Sequence, residues 1–163
     1  MELAEIITRV NTAVPGAIVP TEDDAGFIQV EPKHWLKVAQ LLKDDPELRF
    51  DSLMCITGVD EGPEGRLWAA YNLHSMELLH KLEVRIFVNR KNGSIPSVAN
   101  LWRTADWHER EAYDLIGIKF KGHPDFRRIL LPYDWEGHPL RKDFETPDYY
   151  RGMPVPKDKR GWE

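Results

Sequence analysis

Apolar residues recur at helical spacing at the start of the chain. Leu3, Ile6, Ile7, Val10 and Val14 fall on one side and predict an amphipathic helix over residues 3–14, ended by Pro15-Gly16. Residues 27–30 read as a short strand. Pro32 suits the first turn of a second helix running to about Lys43, with Trp35, Val38, Ala39 and Leu42 inward and Asp44-Asp45-Pro46 as its stop. The period then changes to two. Residues 50–59 are apolar enough for a strand, and residues 66–74 place Leu67, Ala69, Tyr71 and Leu73 on one face. Residues 81–89 set Leu82, Val84, Ile86 and Val88 against Lys81, Glu83 and Arg85, the pattern of a sheet with one face buried. The connector DEGPEG at 60–65 is longer than a tight hairpin loop, and residues 89–93 turn the chain. Ser97, after Pro96, is placed to cap a short helix through Trp102. A further helix starts near residues 104–106 and runs to Leu115, with Gly117 as its terminator.

The order helix, strand, helix, three strands, helix predicts an α+β fold, with helices packed on one face of a mostly antiparallel sheet. After about residue 120 the periodicity fades, and only short apolar pieces such as residues 129–131 remain. The expected organisation is therefore an α+β core domain over residues 1–120 and an extended, irregular C-terminal tail over residues 121–163. No internal repeat or low-complexity stretch interrupts this reading.

Composition narrows the function classes. No run of 18 apolar residues exists to span a bilayer. The N-terminus lacks a basic start, an apolar core and a small-residue cleavage site, so a cytosolic location is the default expectation. The single cysteine, Cys55, sits in the apolar run LMCI and reads as a small hydrophobe; alone it can neither form an internal disulfide nor hold an iron–sulfur cluster. Charge divides unevenly. Residues 1–107 carry eleven Lys and Arg against sixteen Asp and Glu, whereas residues 108–163 carry eleven of each and six of the twelve prolines. Dense, balanced charge with Pro and Gly suggests a segment satisfied by ion pairs and backbone contacts rather than a second core.

The run from Trp107 to Phe144 concentrates the candidate chemistry. His108, His123 and His138 are evenly spaced, but zinc sites draw on tighter ligand pairs, and two of these histidines stand in Gly-His-Pro contexts where an imidazole braces a turn. Glu109, Arg110, Glu111 and Asp114 share a helix, with Arg110 and Asp114 at i,i+4. Paired carboxylates serve glycosidases, yet no sugar platform or nucleophile accompanies them, and an ion network at a solvated or interface face is the better reading. Arg127-Arg128, Arg141-Lys142 and Lys157/Lys159/Arg160 alternate with Tyr133, Trp135, Tyr149 and Tyr150, as in single-strand nucleic-acid binders. Asp125, Asp134, Glu136, Asp143, Glu145, Asp148 and Asp158 cancel the positive field such binding needs, which favours a protein partner over nucleic acid. GxGxxG, Walker, GxSxG and HExxH patterns are missing; HERE at 108–111 is followed by Ala112 where a zinc protease has its second histidine.

The stretch Glu109-Arg110-Glu111-Ala112-Tyr113-Asp114-Leu115-Ile116, then His123 and Arg127-Arg128-Ile129-Leu130, resembles the signature of one family in respiratory complex I. That family is the thirty-kilodalton subunit, or C subunit, of NADH–quinone oxidoreductase. Residues 131–144, LPYDWEGHPLRKDF, look like its extended tail, and the likeness covers about residues 96–144. The resemblance implies a hydrophilic peripheral-arm subunit, at the cytoplasmic face of the membrane, that binds no cofactor itself. FMN and iron–sulfur clusters would sit in partner subunits, and NADH and quinone would be used by the whole complex. It implies that the tail lies along the neighbouring D subunit near the quinone site. By likeness, Glu109, Arg110, Glu111, Tyr113, Asp114, His123, Arg127, Arg128, Asp134, Trp135, Arg141, Lys142 and Asp143 would build or brace that contact surface, with no catalytic or metal-binding residue in the chain.

Related subunits occur in membrane-bound hydrogenases and ferredoxin-dependent quinone reductases, and the motif alone does not separate these. A stand-alone enzyme predicts a pocket in which Glu109 or Glu111 converges with His123 or His138. A tail completed by a partner predicts exposed Trp135, Tyr149 and Tyr150.

Overall fold

The computed structural model describes residues 2–21 and 25–155. The predicted basic cluster at Lys157, Lys159 and Arg160, with Asp158, lies outside the described residues. Helix α1 (Leu3–Ala13) starts where the Glu2 amide donates to Glu5 Oε2 at 3.0 Å, and buries Ile6 and Val10. Strands β1 (Ile18–Val19) and β2 (Ile28–Val30) follow. Pro32–His34 forms a 3-10 turn that leads into α2 (Trp35–Asp44), whose buried stripe is Trp35, Val38, Ala39 and Leu42. Asp45 is extended, as a residue before proline must be, and the helix stops there.

Three longer strands form the sheet's centre and one edge: β3 (Ser52–Asp60), β4 (Leu67–His74) and β5 (Lys81–Val88). The five-stranded order is β1-β2-β5-β4-β3, antiparallel except where β2 runs parallel to β5. Register puts Ile56, Tyr71 and Val84 in one row and Gly58, Ala69 and Ile86 in the next, on the face that the helices cover. On the opposite face Trp68 stacks on Phe87 at 5.5 Å, and the Arg85 guanidinium lies 3.7 Å from the Phe27 ring and 4.8 Å from that of Trp68. These half-buried rings shield a sheet face that has no helix of its own.

Residues 97–102 differ from expectation. They do not form a helix: β6 (Ser94–Pro96) pairs in parallel with β7 (Lys119–Lys121), and the Ser97 amide continues that ladder to Lys121 O. Ser97 Oγ is drawn to Glu109 at 2.6 Å, leaving a single turn in which Leu101 and Trp102 both donate to Val98 O. The next helix, α3 (Ala105–Ile116), ends at Gly117, whose φ of +85° is the left-handed cap that glycine adopts without strain. Beyond β7 the chain is irregular until a small hairpin, β8 (Tyr149–Tyr150) and β9 (Met153–Pro154), joined through Arg151 and Gly152, both at positive φ.

Helix α3 reaches β3 closely at Gly58. A Cβ there would lie 3.2 Å from Ile116 Cγ1 and 3.3 Å from Ala112 Cβ, so the glycine is needed for space. Gly58→Val is expected to force α3 outward and cost about 1–3 kcal/mol, read as a lower urea midpoint with an unchanged slope.

Candidate functional site

Helix α3 inverts the usual rule for a surface helix, because its buried positions include Glu109, Arg110 and Asp114. Asp114 has no exposed area and is fully used. Its Oδ2 accepts the backbone N–H groups of Ile129, Leu130 and Leu131 at 3.0, 2.8 and 2.9 Å. Its Oδ1 takes Arg128 Nη1 at 2.5 Å, and its carbonyl accepts His138 Nδ1–H at 3.0 Å. Burial by itself would raise this carboxyl; the three amides and Arg128 outweigh it and hold Asp114 below the usual carboxylate range. The expected i,i+4 pair with Arg110 is not made. Arg110 instead donates from Nε to Arg127 O at 3.2 Å and lies 3.9 Å from both Asp106 and Asp125.

The C-terminal end of α3 is part of the same lock. A side chain at Gly117 would come within 2.6 Å of the His138 ring, and Leu140 N–H donates to Leu115 O at 3.0 Å. Burial, helped by Arg128 and Arg141, lowers His138 and keeps its ring neutral at pH 7. Tyr113 is packed between Phe126 at 4.4 Å and His138 at 5.5 Å.

A second anchor lies at the end of β3. Asp60 is buried, chelates Arg90 through both oxygens, and accepts the amides of Gly62 and Lys142 at 2.8 Å each. Arg90 reaches on to Asp143 at 2.7 Å, and Arg141 pairs with Asp143 at 3.1 Å. The Arg90 guanidinium holds Asp60 far below the ordinary carboxylate range and Asp143 below it as well. Lys142 therefore acts here through its backbone. Asp60 and Arg90 escaped the sequence reading, because DEGPEG looked like a loop; the available signal was an acid at an inward-facing position of an alternating strand.

Glu109 and His123 meet at 3.9 Å with no exposed side-chain area on either. Glu109 accepts from Ser97 Oγ and, at 2.8 Å, from the Val98 amide. Burial pushes its carboxyl up to about 7, against the pull of those hydrogen bonds, and Asp106 adds to the rise. His123 Nδ1 accepts the Asp125 amide at 3.0 Å, which leaves Nε2–H to donate to Asp106 O at 3.1 Å. The pair is sealed under protein and offers a substrate no approach. Glu111, by contrast, is exposed, lies 3.7 Å from His108, and lines a cavity of about 250 Å³ between α3 and β3. Arg127 is exposed beside Asp125 at 2.9 Å. Asp134 accepts from Tyr150 Oη at 3.0 Å and Arg151 Nε at 2.9 Å, while Trp135 stands 5.2 Å from Tyr150. Among the described residues, no group of three or more His, Cys, Asp or Glu could hold a metal ion.

These placements set two opposite pH dependences. Asp114, Asp60 and Asp143 are lowered from 3.8, so their stabilisation is present above that value and lost as pH falls through the depressed ones; hydrogen exchange should show residues 121–155 opening in acid first. Glu109 is raised from 4.5 to about 7, so its contribution is full below 4.5 and declines as pH rises through 7, by about 3 kcal/mol. Glu109→Gln should flatten that decline in urea midpoints measured at pH 5 and pH 8. Asp114→Asn is expected to cost about 3 kcal/mol and to expose the tail to limited proteolysis while the sheet stays folded.

Known proteins resemble this chain in sequence and in fold. The family described as respiratory-chain NADH dehydrogenase, 30 Kd subunit, matches residues 28–150. The NADH-quinone oxidoreductase C subunit of Chloroherpeton thalassium is 51% identical over 123 residues, which is 75% of this chain and 51% of that protein. This chain thus spans about half the length of that relative. Its counterpart in Chlorobium phaeobacteroides is 47% identical over 131 residues, 80% of this chain and 79% of its own length. Among solved structures, the trypsin-resistant fragment of Nqo5 superposes with a TM-score of 0.63 at 26% identity, over 77% of this chain and 99% of the fragment. A component of the membrane-bound sulfane sulfur reductase, an archaeal respiratory membrane complex, shares the fold at a TM-score of 0.70 and 22% identity, over 88% of this chain and 85% of its own. The match across 28–150 contains both anchors and the helix that joins them, and the chain belongs to the family of the 30-kilodalton subunit of respiratory-chain NADH dehydrogenase, the C subunit of NADH-quinone oxidoreductase.

Proposed function

We propose that this chain is a peripheral-arm subunit of an ion-translocating NADH–quinone oxidoreductase, without cofactor or catalysis of its own, and that residues 121–163 dock on the neighbouring D subunit near the quinone site. The observation that carries this reading is the polarity of the tail. Its backbone amides at residues 129–131 and 142, together with Arg128, turn inward to Asp114 and Asp60, while Leu130, Tyr133, Leu140, Tyr149 and Met153 are 60–88% exposed. Apolar side chains displayed this way along one segment mark a protein interface. Of the aromatics expected to be open, Tyr149 is exposed, whereas Trp135 and Tyr150 half-bury each other.

Within this reading the family residues divide by role. Glu109, Arg110, Asp114, His123, Arg128 and Asp143 brace the tail from beneath. Glu111, Arg127, Asp134 and Lys142 stand exposed where a partner would meet them, with Tyr113, Trp135 and Arg141 half-buried among the groups that hold the tail. Electrons would pass through FMN and iron–sulfur clusters held by other subunits, with NADH as donor and quinone as acceptor of the whole complex. Among the described residues no helix is long and apolar enough to cross a membrane, and the chain would sit on the cytoplasmic face as a peripheral member. The Nqo5 relative is known as a trypsin-resistant fragment covering 77% of this chain, in keeping with a protease-stable core and a separable tail.

An affinity-tagged copy, extracted from the native host's membranes in mild detergent, should bring down the D-subunit homologue together with flavin and iron–sulfur proteins by mass spectrometry. Recovery of the tagged protein alone would sink the proposal. The pair Tyr133→Ala and Leu140→Ala should lower that recovery about tenfold, equivalent to about 1.4 kcal/mol, without moving the urea midpoint of the free chain.

A further inference from the structure

The β8–β9 hairpin and the segment around Trp135 enclose a cavity of about 370 Å³. Trp135, Tyr149 and Tyr150 line it together with Asp134, Glu136 and Glu145. The three acids are not equivalent. Asp134 is occupied by Tyr150 Oη and by Arg151, whose Nη2 also lies 2.9 Å away. Glu136 and Glu145 make no ion pair or hydrogen bond among the described residues. Arg151 cannot serve them, since its guanidinium is held by Asp134 and lies 5.4 Å from the Tyr150 ring and 5.9 Å from that of Tyr133. Within this lining one guanidinium is thus already held by an acid and the Tyr150 ring, and among the described residues the same chemistry recurs with no cation in place. Trp135 Nε1 is also buried without an acceptor.

We infer that this cavity receives a lysine or arginine side chain of the subunit on which the tail docks. Ring faces attract a cation through their quadrupole, and two uncommitted carboxylates supply the opposite charge. Unpaired glutamates on a surface are ordinary by themselves; here they share a concave wall with three aromatic rings, and that combination selects a cation over an apolar or anionic side chain. The inference rests on the proposed docking of the tail and adds the chemistry of one partner residue.

The test titrates the full-length protein with arginine amide, lysine amide and norleucine amide, followed by NMR, with Trp135→Phe assigning the indole resonance. Saturable shifts of the Trp135 indole and of the Tyr149 and Tyr150 rings are expected with the two cations and not with norleucine amide. Glu136→Gln with Glu145→Gln should weaken them about tenfold. An equal response to norleucine amide, or an undiminished response in the double variant, overturns the inference. So does a protein that binds the amides only after Lys157, Lys159 and Arg160 are all changed to Gln, because its own cation then fills the cavity. Co-purification from membranes separates the two claims. Amide binding without recovery of any partner subunit overturns the docking, and full partner recovery by the Glu136/Glu145 double variant overturns the cavity assignment alone.

Discussion

One carboxylate, that of Asp114, makes the C-terminal third of the molecule possible. Residues 129–131 have neither a strand partner nor a core, and their amides would otherwise need water. Asp114, for its part, sits on the buried side of α3, where an unpaired carboxylate is costly. Each solves the other's problem. Three amides and an arginine converge on a group with no exposed area, and the turn they define sends the chain on to His138 over Gly117 and to Leu140 beside Leu115.

The result is a segment held to the domain by polar contacts, where the sheet beneath it is held together by apolar ones. In the sheet, Ile56, Tyr71 and Val84 face inward and the charged residues of β5 face out. In the tail, Arg128 and the backbone amides of residues 129–131 and 142 face inward, and Leu130, Tyr133, Leu140 and Tyr149 share the surface with charged side chains. The exposed tip of the β4–β5 connection, with Met76 and Leu79 and a left-handed backbone at Leu79, is another apolar display among the described residues.

Much of the domain was legible from periodicity, because burial on one face imposes the alternation of Leu67 to Leu73 and Leu82 to Val88 and the stripe of α2. What escaped depended on contacts far apart in the chain. Nothing local reveals that Asp60 will pair with Arg90, thirty residues on, or take an amide from Lys142. Ser97 has the chemistry of a helix cap and accepts the Ala99 amide at 3.2 Å, yet it also donates to Glu109, and the turn it opens does not extend into a helix. The motif residues of α3 stood out by their density of charge. Their roles did not, since the partner of Arg110 is decided by where the tail returns.

The distance along the chain between Asp60 and Lys142 also gives the second anchor a history. Synthesis runs from the N-terminus, so β3, β4 and β5 are complete, and Asp60 can meet Arg90, while the residues that will finish the site have not yet been made. The early pair leaves one Asp60 oxygen ready for an amide and one edge of Arg90 ready for an acid. Lys142 and Asp143 then arrive at a prepared slot instead of building one. Closure of the tail thus becomes the last step of folding and reports that the sheet beneath it has already formed correctly.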